Sequence, residues 1–237
     1  MSDVFGKALK DYQLGNYTED ILTYSSLDEE DSIPLPYLFR SFKEMPKLEQ
    51  KALELCKGTI LDIGCGAGSH SLYLQKEGLH VTALDFSKGA IEVCKARGIT
   101  KTKQSNIYDY NGTKFDTLLL LMNGIGIVGK LNELNRFFNH LKSLLLPNGQ
   151  ILLDSSDIIY MYEQGNDGGY WIPDSGDYYG EVEFVMKYKG EKSNSFSWLY
   201  IDYSTLQQAA LANGLNCELM KQGEHYDYLA KFSFFLQ

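Results

Sequence analysis

The 237-residue chain has no pair of cysteines in C-x-x-C spacing. Its four, Cys56, Cys65, Cys94 and Cys217, are scattered, which argues against a zinc site or a disulfide framework. No apolar run reaches the roughly 18 residues of a membrane span. The start, M-S-D-V-F-G-K, lacks the apolar stretch of a secretory signal, so a cytoplasmic location is expected. Basic residues are in short supply, 22 against 31 acidic, for a net charge of −9. Nucleic-acid binding depends largely on counterion release by Lys and Arg, so a broad nucleic-acid face is not expected, although a local basic pocket remains compatible. Internal repeats, low-complexity blocks, histidine–carboxylate clusters of metal-ligand spacing and a nucleophilic triad are all missing, so no metal is expected and no catalytic residue can be named.

What is present suffices for one α/β unit: 44% of the residues are hydrophobic, enough to fill a core. Residues 45–57 read as a helix, with Pro46 in the first turn and Leu48, Ala52 and Leu55 on one face. Strands are expected at 59–63, 79–84, near 101–105 and at 151–154, and helices at 67–77, from an N-cap at Ser87 to Gly98, and at 131–145. The run F-D-T-L-L-L-L-M at 115–122 has the continuous apolar character of a parallel strand buried on both faces. Strands alternating with helices imply a mostly parallel sheet. The rhythm breaks after Asp154: residues 180–189 and 195–203 alternate like an antiparallel ribbon, before a helix at 204–213 and strands near 215–222 and 226–235. The expected architecture is an N-terminal helical cap or lid over 1–44 and a main domain over 45–237, carrying an insertion at about 155–203. The acidic run Asp28-Glu29-Glu30-Asp31 reads as a solvated loop or helix end.

The most informative stretch is T-I-L-D-I-G-C-G-A-G-S at 59–69. Gly64, Gly66 and Gly68 sit between a strand and a helix, where open parallel sheets bind ligands outside the carboxyl ends of their strands. A dinucleotide-type loop spaces its glycines G-x-G-x-x-G; here the third glycine comes one residue early, and Asp62 would repel a pyrophosphate. A ligand that carries an adenosine but no phosphate, and a cationic sulfonium and amine instead, suits a neighbouring carboxylate. Asp85 ends the next strand, the position from which an acid accepts ribose hydroxyls in such folds.

L-D-I-G-C-G-A-G-S-H followed by V-T-A-L-D-F-S resembles the class I S-adenosylmethionine-dependent methyltransferases, small-molecule enzymes among them. K-F-D-T-L-L-L-L-M-N and L-K-S-L-L-L-P-N-G-Q-I-L-L-D are similar to later segments of that family, so the resemblance covers 45 to about 154 well and the terminal hairpin more loosely. It implies a doubly wound, mostly parallel seven-stranded sheet with an antiparallel last strand, here with a small antiparallel β insertion after the fifth strand. It implies S-adenosyl-L-methionine as cofactor. By the family pattern Asp62 and the loop backbone of Gly64, Cys65, Gly66 and Gly68 would hold the methionyl end, Asp85 the ribose, and Phe86 the adenine face. Asn106 stands where the family usually has an acid for the adenine amino group, with Asp109 as its rival; Ile107 would donate a backbone N–H, and Met122 and Asn123 would lie beneath the methyl donor. Arg40, in Y-L-F-R-S-F, is a candidate for the cofactor carboxylate.

Methyl transfer from a sulfonium is an in-line displacement that position and desolvation can largely drive. Of the histidines, His80 and His140 read as structural or exposed, while His70 and His225 could face the ligand side of the sheet. Of the 17 tyrosines, many fall in the insertion with both tryptophans: Tyr160, Tyr162, Tyr170, Trp171, Tyr178, Tyr179, Tyr188, Trp198, Tyr200 and Tyr203. They suit either an aromatic or an amine substrate, or simply antiparallel strands. The expected partner is a small molecule, with neither nucleic acid nor membrane. Competing readings are a silent S-adenosylmethionine-binding protein that acts through partner contacts, an aminopropyltransferase, disfavoured by the neutral M-N-G-I-G, and a nicotinamide dehydrogenase, disfavoured by Asp62 and the glycine spacing.

Overall fold

The computed structural model describes residues 3–172 and 176–235. Residues 1, 2, 173–175, 236 and 237, parts of the expected cap, insertion and C-terminal end, lie outside the described residues. The chain opens with helix α1 (Val4–Gln13), strands β1 (Ile21–Ser25) and β2 (Glu30–Ile33), and the short helix α2 (Leu35–Leu38). Helix α3 (Lys47–Leu55) leads into β3 (Thr59–Ile63), α4 (Ser69–Lys76), β4 (His80–Asp85), α5 (Lys88–Ala96), β5 (Thr102–Gln104), β6 (Phe115–Leu120), α6 (Leu134–Ser143) and β7 (Leu145–Ser156). Beyond these come β8 (Glu163–Gln164), β9 (Tyr170–Trp171), β10 (Glu181–Tyr188), β11 (Glu191–Lys192) and β12 (Phe196–Leu199). Helix α7 (Tyr203–Ala212) and the hairpin β13 (Leu215–Gln222) and β14 (Asp227–Phe234) complete the chain.

Seven strands form the main sheet in the order β13-β14-β7-β6-β3-β4-β5. The pairs among β3, β4, β5, β6 and β7 are all parallel, and β14 runs antiparallel to β7. This is the expected doubly wound sheet with its antiparallel last strand. Central strands are apolar throughout: Leu118, Leu119 and Leu120 of β6 and Ile151, Leu152 and Leu153 of β7 are fully buried, as a sheet covered on both faces requires. Strand order reverses between β3 and β6, so the crevice for a ligand opens above their carboxyl ends.

Two expectations change in detail. The helix expected over 131–145 begins as a 3-10 turn at Leu131–Glu133 and becomes α6 only at Leu134. The turn at Pro147–Gly149 bulges out of β7: Phe115 pairs Leu145 and Thr117 pairs Gln150, a step of two positions on β6 against five on β7.

The larger correction concerns the N-terminal segment, which is only partly helical. Ile21–Ser25, I-L-T-Y-S, is rich in β-branched and aromatic residues and pairs with both β2 and β10. The insertion's β10, β11 and β12 therefore join β1 and β2 in one five-stranded antiparallel sheet. Paired residues in an antiparallel ladder share a face. One face carries Ile21, Thr23, Asp31, Ile33, Val182, Phe184, Met186, Tyr188, Phe196 and Trp198. Ile21, Ile33, Met186 and Tyr188 pack there against α1 residues Val4, Phe5, Ala8 and Leu9, and Trp198 lies over Gly126, so this face is turned inward. Residues 1–44 and 155–203 thus share one sheet, while β8 and β9 pair separately within the insertion.

Candidate functional site

The glycine loop leaves β3 in three left-handed steps. Gly64, Gly66 and Gly68 have φ of 73°, 52° and 79°, where a Cβ is strained. A Cβ on Gly68 would also lie 2.3 Å from Ile99 Cδ1. The Gly64 and Cys65 N–H groups donate to the Leu84 carbonyl at 2.8 and 3.1 Å, pinning the turn to β4. The Cys65 side chain turns back toward Cys94, sulfur to sulfur 3.7 Å, so its contribution to a ligand is limited to its backbone. Arg97, not singled out from the sequence, braces the loop by donating from Nη1 to the Ala67 carbonyl at 2.6 Å.

Two acids end the adjoining strands. Asp85 is 5% exposed and accepts the Gly66 N–H at 2.9 Å and the Ser87 N–H at 2.8 Å, one on each carboxylate oxygen. Burial pushes its pKa up to about 6, with the two backbone donors pulling the other way. Each oxygen retains lone-pair capacity for a further donor. Next to it Phe86 leaves its ring 74% exposed, an apolar plane beside a polar anchor. Asp62 is buried and accepts the Ser71 hydroxyl at 2.6 Å. Burial raises its pKa, against His70 and Ser71, which favour the ionised form. No lysine or arginine pairs with it among the described residues.

A buried ionic group adjoins Asp62. Arg40 Nη2 donates to Glu49 at 2.5 Å, and His70 Nε2 lies 2.8 Å from Glu49 Oε2. Burial would raise the Glu49 pKa, but the hydrogen bond and charge of His70 and the charge of Arg40 outweigh it and hold it below the usual carboxylate range. Arg40 also donates from Nη1 to the Tyr37 carbonyl at 2.6 Å and stacks 3.9 Å over that tyrosine's ring. Its buried Nε has no hydrogen-bond partner among the described residues. Glu49 was missed in the sequence, yet Glu49, Ala52 and Leu53 follow helical i, i+3, i+4 spacing, which places a charge inside the buried stripe.

After β6 the chain turns sharply through Met122 and Asn123, with φ of 67° and 55°. Asp154 holds this turn by accepting the Met122 N–H at 3.0 Å and the Gly124 N–H at 2.8 Å. Burial lifts its pKa to about 6, again against its backbone donors. Met122 is 38% exposed. The Asn123 amide is largely engaged elsewhere, donating to the Leu199 carbonyl at 3.0 Å and accepting from Ser155 Oγ at 3.1 Å. Asn106 caps a 3-10 turn by accepting the Tyr108 N–H at 3.0 Å, with its Nδ2 unpartnered among the described residues. Ile107 is buried behind it, and Asp109 lies exposed in the same turn. The candidates thus gather at the carboxyl ends of neighbouring strands, β5, β4, β3 and β6, with Arg40 at their flank.

The aromatic residues divide. Phe184, Phe196, Trp198 and Tyr200 form a run with ring separations of 6.2 to 6.4 Å, and Tyr160 stacks on Tyr226 at 5.1 Å. Tyr179 donates to Asp157 at 2.7 Å, at the carboxyl end of β7. Tyr188 is buried against α1 and Tyr203 bonds the Cys217 carbonyl, so neither faces the crevice; Trp171, on β9, is 73% exposed. Of the histidines, His70 is buried beside Glu49 and His225 is exposed, while His140 is half-buried near Tyr108 rather than exposed. Among the described residues no group of three or more His, Cys, Asp and Glu is arranged to hold a metal, and no helix is long and apolar enough to cross a membrane.

Residues 60–149 match the family described as "Methyltransferase domain". A crystallised SAM-dependent methyltransferase from Bacteroides fragilis, in complex with S-adenosyl-L-homocysteine, is 44% identical; the alignment covers 99% of this chain and 95% of that one, with a TM-score of 0.91. A ubiquinone biosynthesis O-methyltransferase from Rickettsia conorii is 24% identical over 147 residues, 60% of this chain and 49% of that one. A sugar N-methyltransferase from a Streptoalloteichus species shares the fold at 16% identity and a TM-score of 0.56, over 79% of this chain and 85% of that one. The chain spans about half the length of the curated relatives it matches. With the doubly wound sheet, the left-handed glycine loop and a 44% identical relative matched over nearly its whole length, the chain belongs to the class I S-adenosylmethionine-dependent methyltransferases, enzymes whose cofactor is S-adenosyl-L-methionine.

Proposed function

We propose that the enzyme methylates a small molecule by in-line displacement in the crevice between the parallel sheet and the antiparallel roof above it. The residues present fit the cofactor. A buried, ionisable Asp62 without a lysine or arginine partner suits a ligand that is cationic at its methionyl end, and this observation carries the reading. Asp85 has lone pairs left for two ribose hydroxyls, Phe86 offers a free apolar face, and Arg40 Nε is a buried donor in want of an acceptor. Asn106 and the Ile107 backbone would meet the adenine edge, and the backbones of Gly64, Cys65, Gly66, Gly68, Met122 and Asn123 would line the floor.

S-adenosyl-L-methionine supplies a methyl group on a sulfonium, already activated for transfer. The chain's own task is then to place the acceptor's lone pair and to exclude water. Residues 1–44 and 155–203 act together as the roof, and their enclosure of the strand ends favours a small acceptor over a macromolecule. Calorimetry with S-adenosyl-L-methionine, S-adenosyl-L-homocysteine and NAD tests the cofactor reading, and Asp62→Asn should selectively lower affinity for the first two. Conversion to S-adenosyl-L-homocysteine across a metabolite panel, compared with a panel of peptides and RNA, tests the acceptor class; turnover confined to the macromolecules would overturn it.

A further inference from the structure

The short helix α2 ends with its carbonyls taken up by two side chains that also hold the glycine loop. A helix of 4 residues leaves its last carbonyls without partners of its own. Ser69, the first residue of α4, donates its hydroxyl to the Leu38 carbonyl at 2.7 Å. Arg97, at the end of α5, donates from Nη1 to Ser69 Oγ at 3.2 Å and from Nη2 to the Phe39 carbonyl at a long 3.5 Å. The same Nη1 holds the Ala67 carbonyl of the loop at 2.6 Å. The guanidinium also lies 4.7 Å from the centroid of the Phe39 ring, which meets the ring of Tyr12 from α1 at 4.4 Å. Arg97 is half-buried, and its partners are carbonyls, a hydroxyl and a ring, with no carboxylate paired to it among the described residues.

The residue that follows these clamped carbonyls is Arg40. Its Nη1 is held by the Tyr37 carbonyl at 2.6 Å, its Nη2 by Glu49, and its plane by the Tyr37 ring at 3.9 Å. Only Nε, in a residue that is 6% exposed, is left without a hydrogen-bond partner among the described residues. A buried unsatisfied donor is costly and points to an acceptor that the chain itself does not supply. The place of that donor is inherited from the backbone at 38–40, and one guanidinium sets this backbone against Ala67. The spacing between the glycine loop and Arg40 Nε thus depends on Arg97 and Ser69, neither of which needs to touch a ligand.

We propose that Arg97 and Ser69 are positioning residues for the carboxylate of the cofactor: they fix the distance between the loop that receives the methionyl group and the Arg40 donor that receives its carboxylate. The proposal rests on the cofactor reading of the crevice and deepens it. In the sequence Arg97 stands just before Gly98, where it reads as a cation in the last turn of a helix. Its partners at 38, 39, 67 and 69 come together only in the fold.

Calorimetry with S-adenosyl-L-homocysteine and with its decarboxylated analogue, which keeps the adenosine, the thioether and the amine, separates this role from general bracing. The wild type should bind S-adenosyl-L-homocysteine about tenfold or more tighter than the analogue. Arg97→Met keeps an unbranched apolar stem against Phe39 and removes the donors; Ser69→Ala removes the link to Leu38. Each should lower S-adenosyl-L-homocysteine affinity by about threefold to tenfold, the worth of one hydrogen bond, while the analogue stays within about twofold of its wild-type affinity. Arg97→Lys, which keeps one donor, should retain part of the preference. Equal losses for both ligands would make the two residues braces of the loop alone, and unchanged affinities would detach them from the ligand; either result overturns the proposal, whatever the melting temperatures do. A wild type that binds the analogue as tightly as S-adenosyl-L-homocysteine would overturn the role of Arg40, and this proposal with it. Failure of the wild type to bind S-adenosyl-L-homocysteine at all would instead overturn the cofactor site on which both rest.

Discussion

Asp85 accepts the backbone N–H of Gly66 at 2.9 Å, so the acid at the end of β4 also shapes the glycine loop at the end of β3. One carboxylate serves as loop brace and ligand acceptor, and burial has lifted its pKa to about 6. The sign of its pH dependence follows. A folded-state pKa above the ordinary value of 3.8 means that the ligand-free protein binds an extra proton between about pH 4 and 6. Ionised Asp85 therefore costs stability that is absent below that window and fully present above it. Ribose hydroxyls need the ionised form as acceptor, so S-adenosyl-L-homocysteine should bind more weakly as pH falls through 6. Calorimetry from pH 5 to 8 measures this; a flat affinity profile would show that Asp85 does not accept from the ligand.

Asp62 supports a second prediction. Asp62→Ala would leave the buried Ser71 hydroxyl without its acceptor, at a cost of about 1–3 kcal/mol in stability. Asp62→Asn keeps an acceptor for Ser71 and removes only the charge. Its affinity for S-adenosyl-L-methionine should fall about tenfold or more while its melting temperature changes little. If the two variants lose stability equally and neither loses affinity, Asp62 is a structural residue alone.

These two acids could be read from the sequence because each sits in a contiguous strand, turn and helix, Asp62 in L-D-I-G-C-G and Asp85 in V-T-A-L-D-F-S. The parallel sheet was legible for the same reason, since each strand-helix unit announces itself through apolar periodicity. What stayed hidden depends on distant pairing. Thr23 meets Met186 only once β1 has found β10, and no residue near 21–25 signals a partner more than 150 positions away. Asn123 looked like a ligand residue by position, but its amide is bound to Leu199, which only the folded insertion brings near. Glu49 lay in plain view on its helix, but its meaning required Arg40 and His70.

That ionic group gives a third prediction. Removing one member of a buried charge set leaves the others uncompensated, at about 3–5 kcal/mol. Glu49→Leu should therefore be strongly destabilising in urea unfolding, because Arg40 and His70 remain buried around the missing carboxylate. The double variant Arg40→Met, Glu49→Leu should recover a large part of the loss, since apolar replacements of a buried pair are often neutral. Loss of the Arg40 donor should still weaken S-adenosyl-L-homocysteine binding. A double variant with normal affinity would remove Arg40 from the cofactor site and leave it as a brace for α3.

The roof is fastened to the sheet domain at the start of α5, beside Asp85 and the glycine loop, so loosening it tests its coupling to cofactor binding. Asp3 accepts from the Ser87 hydroxyl and the Gly89 N–H, both at 2.9 Å, and also caps α1 through the Gly6 N–H at 2.9 Å. Gly6 and Gly89 bring α1 and α5 into backbone contact: a Cβ on Gly89 would lie 2.5 Å from the Gly6 carbonyl carbon. Gly89 has no positive φ, so Gly89→Ala tests packing and not backbone strain. Overpacking of this kind costs about 1–3 kcal/mol, and here α1 can relieve it by lifting from α5. Hydrogen exchange should accelerate in residues 4–13 and in β1, which share a core with it, while β3, β6 and β7 keep wild-type protection. Because Phe5 of α1 approaches Gly66, S-adenosyl-L-homocysteine should dissociate faster from the variant. Unchanged exchange in α1, or a loss of protection spread evenly through the parallel sheet, would show that α1 is not a separable fastening and that the roof and the sheet open as one.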